Sequence, residues 1–166
     1  KSEDLFLESY RLQKANLNKD TFIDFVEILN GIGTRYSLRL DYSNAEKFYF
    51  ESLETIDKYI GKENTLYTNS LIKIGMLYSN QSQYPQSRTY FNEASKILIN
   101  LKKYYTSDHV FVLEALASGY RYEAKYDLSE QLYFKAIDIN KKLNANSQDY
   151  INSIKLLAGN YLDKGD

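Results

Sequence analysis

Leu29-Asn30-Gly31-Ile32-Gly33-Thr34-Arg35-Tyr36 is the stretch on which the fold turns. A shift of 42 residues lays it over Leu71-Ile72-Lys73-Ile74-Gly75-Met76-Leu77-Tyr78. A further 42 reaches Leu113-Glu114-Ala115-Leu116-Ala117-Ser118-Gly119-Tyr120, and 41 more reaches Ile154-Lys155-Leu156-Leu157-Ala158-Gly159-Asn160-Tyr161. Four columns stay fixed: a large aliphatic, another three on, a small residue next, and Tyr three beyond. The segment that follows keeps the same period. Tyr42, Tyr84 and Tyr126 are in register, as are Ala45, Ser87 and Ser129, then Tyr49, Phe91 and Tyr133, then Ser52, Ala94 and Ala136. Chance does not give eight columns with one period, so the chain is built of internal repeats.

The spacings inside a unit are helical. Leu29, Ile32, Gly33 and Tyr36 follow i, i+3, i+4, i+7, one stripe of a helix. Ala45, Tyr49 and Ser52 follow i, i+4, i+7 on a second helix. A short turn, Arg39-Leu40-Asp41, joins them, so each unit reads as a hairpin of helix A and helix B. Small residues in the stripe let the two helices approach closely. Pro85 falls in the first turn of its helix B, where a missing N–H costs least. Gly61-Lys62-Glu63-Asn64 and Thr106-Ser107-Asp108 read as turns between units, with Asn64 and Ser107 as the expected N-caps. Eight helices are expected, near 2–15, 21–38, 42–59, 65–80, 84–102, 108–122, 126–142 and 148–163.

A small residue, Tyr three later, Tyr six further on, then small–aromatic–small at i, i+4, i+7 resembles the tetratricopeptide repeat (TPR). The 42-residue period is similar to that of kinesin light chains and bacterial TPR scaffold proteins. Gly61-Lys62-Glu63-Asn64 and Ser107-Asp108-His109 are similar to the turn of that type, with Val110 where its Pro would stand. The resemblance implies an all-α, right-handed α-solenoid of helical hairpins with a ligand groove on its inner curve. It also brings to mind a Leu-Asn-Asn-Leu-Ala run whose asparagines clamp a peptide backbone; only Asn30 fits that run here. On this reading residues 1–166 are one repeat domain and a piece of a longer protein. Its units are 2–19 (half), 20–62, 63–105, 106–146 and 147–166 (half).

Composition narrows the function. The chain has 166 residues, 43% apolar and 26% charged, with a formal net charge of −1. That is a folded domain without the basic excess of a nucleic-acid binder. Cysteine is absent, which removes disulfides and thiol chemistry, and a single histidine argues against zinc. No run approaches the roughly 18 apolar residues of a membrane span. His109, beside Asp108, reads as a turn residue, since general-base work needs a partner and a pocket. Gly31-Ile32-Gly33 starts like a dinucleotide loop but has Tyr36 where a third glycine belongs. No nucleophile–base set stands out, so no enzyme, cofactor or metal is expected, nor a nucleic-acid or membrane partner. A cytoplasmic location is expected from the want of an apolar leader before Lys1-Ser2-Glu3-Asp4.

The residues that the repeat leaves free lie on helix A about 120° from the packing stripe. They are Glu27, Asn30 and Thr34; Asn69, Ile72, Met76 and Ser79; Phe111, Glu114, Ser118 and Arg121; and Asn152 and Lys155. Their centre is apolar at Ile72, Met76 and Phe111, on a face otherwise polar. These are the groove candidates. A protein-interaction scaffold that binds a peptide or partner segment is the expected function. The alternative is a regulatory arm of a larger protease or kinase. At the ends, residues 2–15 resemble a helix B, with Ser2, Phe6 and Ser9 in the small–aromatic–small register. Residues 148–163 resemble a helix A whose stripe of Ile151, Ile154, Leu157, Ala158 and Tyr161 would stay uncovered. Self-association through these end helices is therefore expected.

Overall fold

The computed structural model describes residues 2–165, and side chains from residue 5 onward. Eight helices follow one another: α1 (Ser2–Ala15), α2 (Phe22–Leu38), α3 (Tyr42–Ile60), α4 (Thr65–Asn80), α5 (Tyr84–Asn100), α6 (Ser107–Tyr122), α7 (Tyr126–Asn144) and α8 (Gln148–Lys164). No strand occurs among the described residues. Each expected helix is present, with ends displaced by two residues or fewer. The displacements have local causes. Thr21 does not cap α2, because its hydroxyl donates to Asn16 O and accepts from Asn18 N. The last turn of α5 closes early: Lys102 turns left-handed at φ 57°, and Lys103 N donates back to Leu98 O at 2.8 Å. Asn64 caps α4 as expected, accepting from Tyr67 N at 2.9 Å. The cap of α6 is Thr106 rather than Ser107; its Oγ1 accepts from His109 N, and Ser107 is already helical.

The repeat is written into the backbone as well. Leu40, Ser82 and Ala124, each 42 apart in sequence, all take positive φ in the turn between helix A and helix B. That turn demands a left-handed residue, although no glycine marks it, at a cost of about 1–2 kcal/mol each.

The chain divides into two compact units, residues 1–77 and 78–166. In the first, α1, α2 and α3 close over Phe25, Leu29, Ile32 and Phe48, with Phe6, Leu7 and Tyr10 of α1 packed against them. Phe6 thus fills the role its register assigned; the Ser2 side chain lies outside the described residues. Each such buried side chain contributes about 1.5–3 kcal/mol. Gly33 is the contact point of α2 and α3: a Cβ there would stand 2.6 Å from Tyr49 Cε1. In the second unit, α6 and α7 close over Val110, Leu113, Ala136 and Ile139. Ala117 and Tyr133 pack with Leu157 of α8. Leu157 is buried, while Ile151 and Ile154 of the same stripe are 43% and 42% exposed. No described helix is long and apolar enough to cross a membrane.

His109, read from the sequence as a turn residue, is helical and buried. It is 2% exposed inside the first turn of α6, with Nδ1 at 2.9 Å from Tyr104 O and Nε2 at 3.1 Å from Ser95 Oγ. Both ring nitrogens are engaged in structural hydrogen bonds.

Candidate functional site

In the first unit the free positions of α2 and α4 meet around an open cavity of about 670 Å³. Glu27, Asn30, Thr34 and Asn69 all line it, together with Arg35, Leu38, Leu66 and Lys73. Asn30 Nδ2 reaches Ser70 Oγ at 3.4 Å, and Ser70 in turn shares a 2.9 Å hydrogen bond with Ser52 of α3. Asn30 Oδ1 is buried and accepts nothing. A buried carbonyl oxygen without a donor is costly. Thr34 has a second duty. Its hydroxyl donates to Asn30 O at 2.8 Å, so the Tyr49 OH, 3.0 Å away, must donate to Thr34 Oγ1. Burial pushes the Tyr49 phenol pKa up, with the Thr34 bond opposing.

The second unit repeats that device. Ser118 Oγ lies 2.9 Å from Tyr133 OH, and Tyr133 is fully buried. The remaining copy of the two columns holds Met76 and Phe91, neither with a hydroxyl. Thr34 and Ser118 therefore hold helix A to helix B, a role that spacing alone does not show.

A second cavity, of about 230 Å³, opens among α6, α7 and α8. Phe111, Glu114 and Asn152 of the expected set line it, joined by Val110, Asn140 and Asp149. The Phe111 ring sits edge-on to Phe91, centroids 6.4 Å apart, and is still 41% exposed. Ser153 Oγ donates to Glu114 Oε1 and accepts from Asn140 Nδ2 at 2.8 Å. Burial raises the Glu114 carboxyl above its ordinary value, Asp149 raises it further, and the Ser153 bond opposes. Asn140 and Asp149 were not expected. Asn140 had a sequence signal: Ile56 and Leu98 occupy its column in the other copies.

The other candidates lie elsewhere. Arg121 Nε donates to Asp163 Oδ2 at 2.6 Å. Lys155 is exposed and lines neither cavity. Ile72 and Ser79 are half-buried and Met76 is 43% exposed; none of the three lines either cavity.

Known structures share this arrangement of hairpins. BtubC (BKLC) from P. vanneervenii superposes at a TM-score of 0.85 over 99% of the chain, at 17% identity. This chain is a TPR-like helical repeat. The nearly identical TPR-like repeats of a kinesin light chain-type protein from Podosopora anserina match at a TM-score of 0.74 over 84% of the chain, at 14% identity. The chain spans 65% of the length of BtubC and 67% of the Podosopora protein. No protein family model matches the sequence, and no curated protein sequence matches it. At these identities the likeness concerns the fold, and the TPR-like resemblance seen in the sequence is one of architecture.

Proposed function

We propose that the chain is a non-catalytic protein-interaction scaffold that takes a peptide or partner segment against the free faces of its A helices. The observation that carries the reading is the cavity of the first unit. Glu27, Asn30, Thr34 and Asn69, at positions outside the repeat's fixed columns, line a single space. At its wall Asn30 Oδ1 is a buried acceptor with no donor. A peptide backbone N–H is the donor a partner segment supplies, and an extended chain brings one at every residue. The proposed apolar anchors are Ile72 and Met76 in the first unit and Phe111 in the second, and Ser79, Ser118, Arg121, Asn152 and Lys155 are the proposed polar contacts on the A helices. Burying one apolar side chain on such an anchor is worth about 1.5–3 kcal/mol.

Selection of binders from a displayed random-peptide library tests the proposal. The expected result is a family of related peptides whose affinity falls at least about tenfold in Asn30→Ala and in the Phe111→Ala, Met76→Ala double variant, with helical content unchanged. A tenfold loss corresponds to about 1.4 kcal/mol, within the worth of one anchor. Failure to select any peptide, or full affinity in all of these variants, ends the reading.

A further inference from the structure

The second cavity departs from the repeat in ways that packing does not require. In the column of Asn140 the other copies hold Ile56 and Leu98, both 0% exposed. Asn140 is itself only 3% exposed, so an amide has been put where the fold elsewhere uses an aliphatic. Burying an amide is unfavourable unless its groups are all paired. Here they are not.

Proton bookkeeping shows which group is left over. Ser153 is fully buried, and its hydroxyl has one proton. The acceptors within its reach are Glu114 Oε1 and Asp149 O, so that proton points to them. Ser153 Oγ must then accept from Asn140, which fixes the Nδ2 of that amide toward the serine. Asn140 Oδ1 faces the other way, and among the described residues the hydrogen bond of this amide is the one to Ser153. Glu114 is half-buried, its hydrogen-bond partner is Ser153, and the charge that bears on it is a second carboxylate, Asp149. No Lys or Arg lines the cavity. Three acceptor sites thus converge on a space of about 230 Å³ with no cation to meet them. Of the remaining lining, Val110 and Phe111 are apolar, and Ser107 and Asn152 are polar.

We infer that this cavity receives a lysine or arginine side chain of the bound partner. The inference rests on the scaffold reading and supplies its chemistry. A cationic head on an aliphatic stem answers both the acceptors and the apolar walls: the head faces Glu114, Asp149 and Asn140 Oδ1, and the stem lies on Val110 and Phe111. The face of an aromatic ring adds attraction for the cation. A hard metal ion answers fewer of them, since calcium takes six to eight oxygens and gains nothing from an apolar wall.

The test is a ¹⁵N NMR titration of the whole chain with Nα-acetyl-lysine methylamide, its norleucine counterpart of matching stem without charge, and calcium chloride. The lysine amide is expected to move the Glu114, Asn140 and Asp149 resonances saturably, at least fivefold more tightly than norleucine. Glu114→Gln keeps the acceptor for Ser153 and should lower that affinity at least tenfold. Asn140→Leu restores the residue of the other repeats, should fold at least as stably, and should also lose the response. Equal shifts from norleucine, no saturable shift, unchanged binding in Glu114→Gln, or saturation by calcium alone would each overturn the inference. The peptide library separates it from the scaffold reading. Selected peptides that lack a basic residue and bind Glu114→Gln at full strength remove the cavity's role and leave the scaffold. Saturable lysine binding with no peptide selected supports the cavity and removes the scaffold.

Discussion

Gly31→Ala and Gly33→Ala are the same substitution two residues apart on α2, and the structure separates them. A Cβ on Gly31 meets nothing nearer than Phe6 Cε1 at 4.0 Å. A Cβ on Gly33 falls 2.6 and 2.7 Å from Tyr49 Cε1 and Cδ1. Either change gains about 0.8–1 kcal/mol from helix propensity. At Gly33 that gain meets a ring that cannot swing away, since Tyr49 is 4% exposed and its hydroxyl is held by Thr34. Overpacking of this kind costs about 1–3 kcal/mol. Ala117 stands in the same column and packs against Tyr133, so a slight separation of the two helices accommodates a methyl. That places the cost toward the lower end, about 1–2 kcal/mol. Gly31→Ala should therefore be more stable than the parent by about 1 kcal/mol, and Gly33→Ala equal to it or less stable by up to about 1 kcal/mol. Urea unfolding followed by circular dichroism reads the difference as a shift in midpoint at unchanged slope. By melting temperature the pair should differ by about 2–8 °C. Equal stabilisation of the two variants would refute the close approach of α2 and α3 at Gly33.

Three further outcomes are expected. Because the folded-state pKa of Glu114 is raised by burial and then by Asp149, its contribution is full below the ordinary carboxylate range and is lost as pH rises through the raised value. Wild-type stability should fall relative to Glu114→Gln as pH rises from about 4 through that raised value, and parallel urea midpoints across the rise would contradict it. A double-mutant cycle of Thr34→Ala with Tyr49→Phe should show a coupling of about 0.5–1.5 kcal/mol, as should Ser118→Ala with Tyr133→Phe; a coupling of zero in both would dismiss the hydroxyl pairing. Ile151, Ile154 and Leu162 of α8 are 43%, 42% and 77% exposed, so the isolated chain should associate as concentration rises. Light scattering should show this and should lose it in Ile154→Lys; a strict monomer at millimolar concentration speaks against an α8 contact.

The architecture is legible in the repeat. A 42-residue period with stripes at i, i+3, i+4 and i+7 leaves few choices, because each hairpin can bury its stripe only against another helix. Tyr49 and Tyr133, buried beside Gly33 and Ala117, show why those columns pair an aromatic with a small residue. The eight helices follow from the same periodicity. Their ends do not, since Thr106 rather than Ser107 caps α6 and Lys102 closes α5; which side chain meets a free N–H depends on local backbone angles that no spacing records. The tertiary structure alone decided the rest. It buried His109 between Tyr104 and Ser95, which its reading as a turn residue did not show. It put Glu27, Asn30, Thr34 and Asn69 around one cavity and Phe111, Glu114 and Asn152 around another, because those positions come from helices joined only through packing. It also brought Asn140 and Asp149 from different helices to Glu114, with Ser153 between them. Spacing within one helix tells which residues share a face. Which face of a neighbouring helix they meet, and whether a polar atom there finds its partner, is settled only when the helices pack and water is excluded.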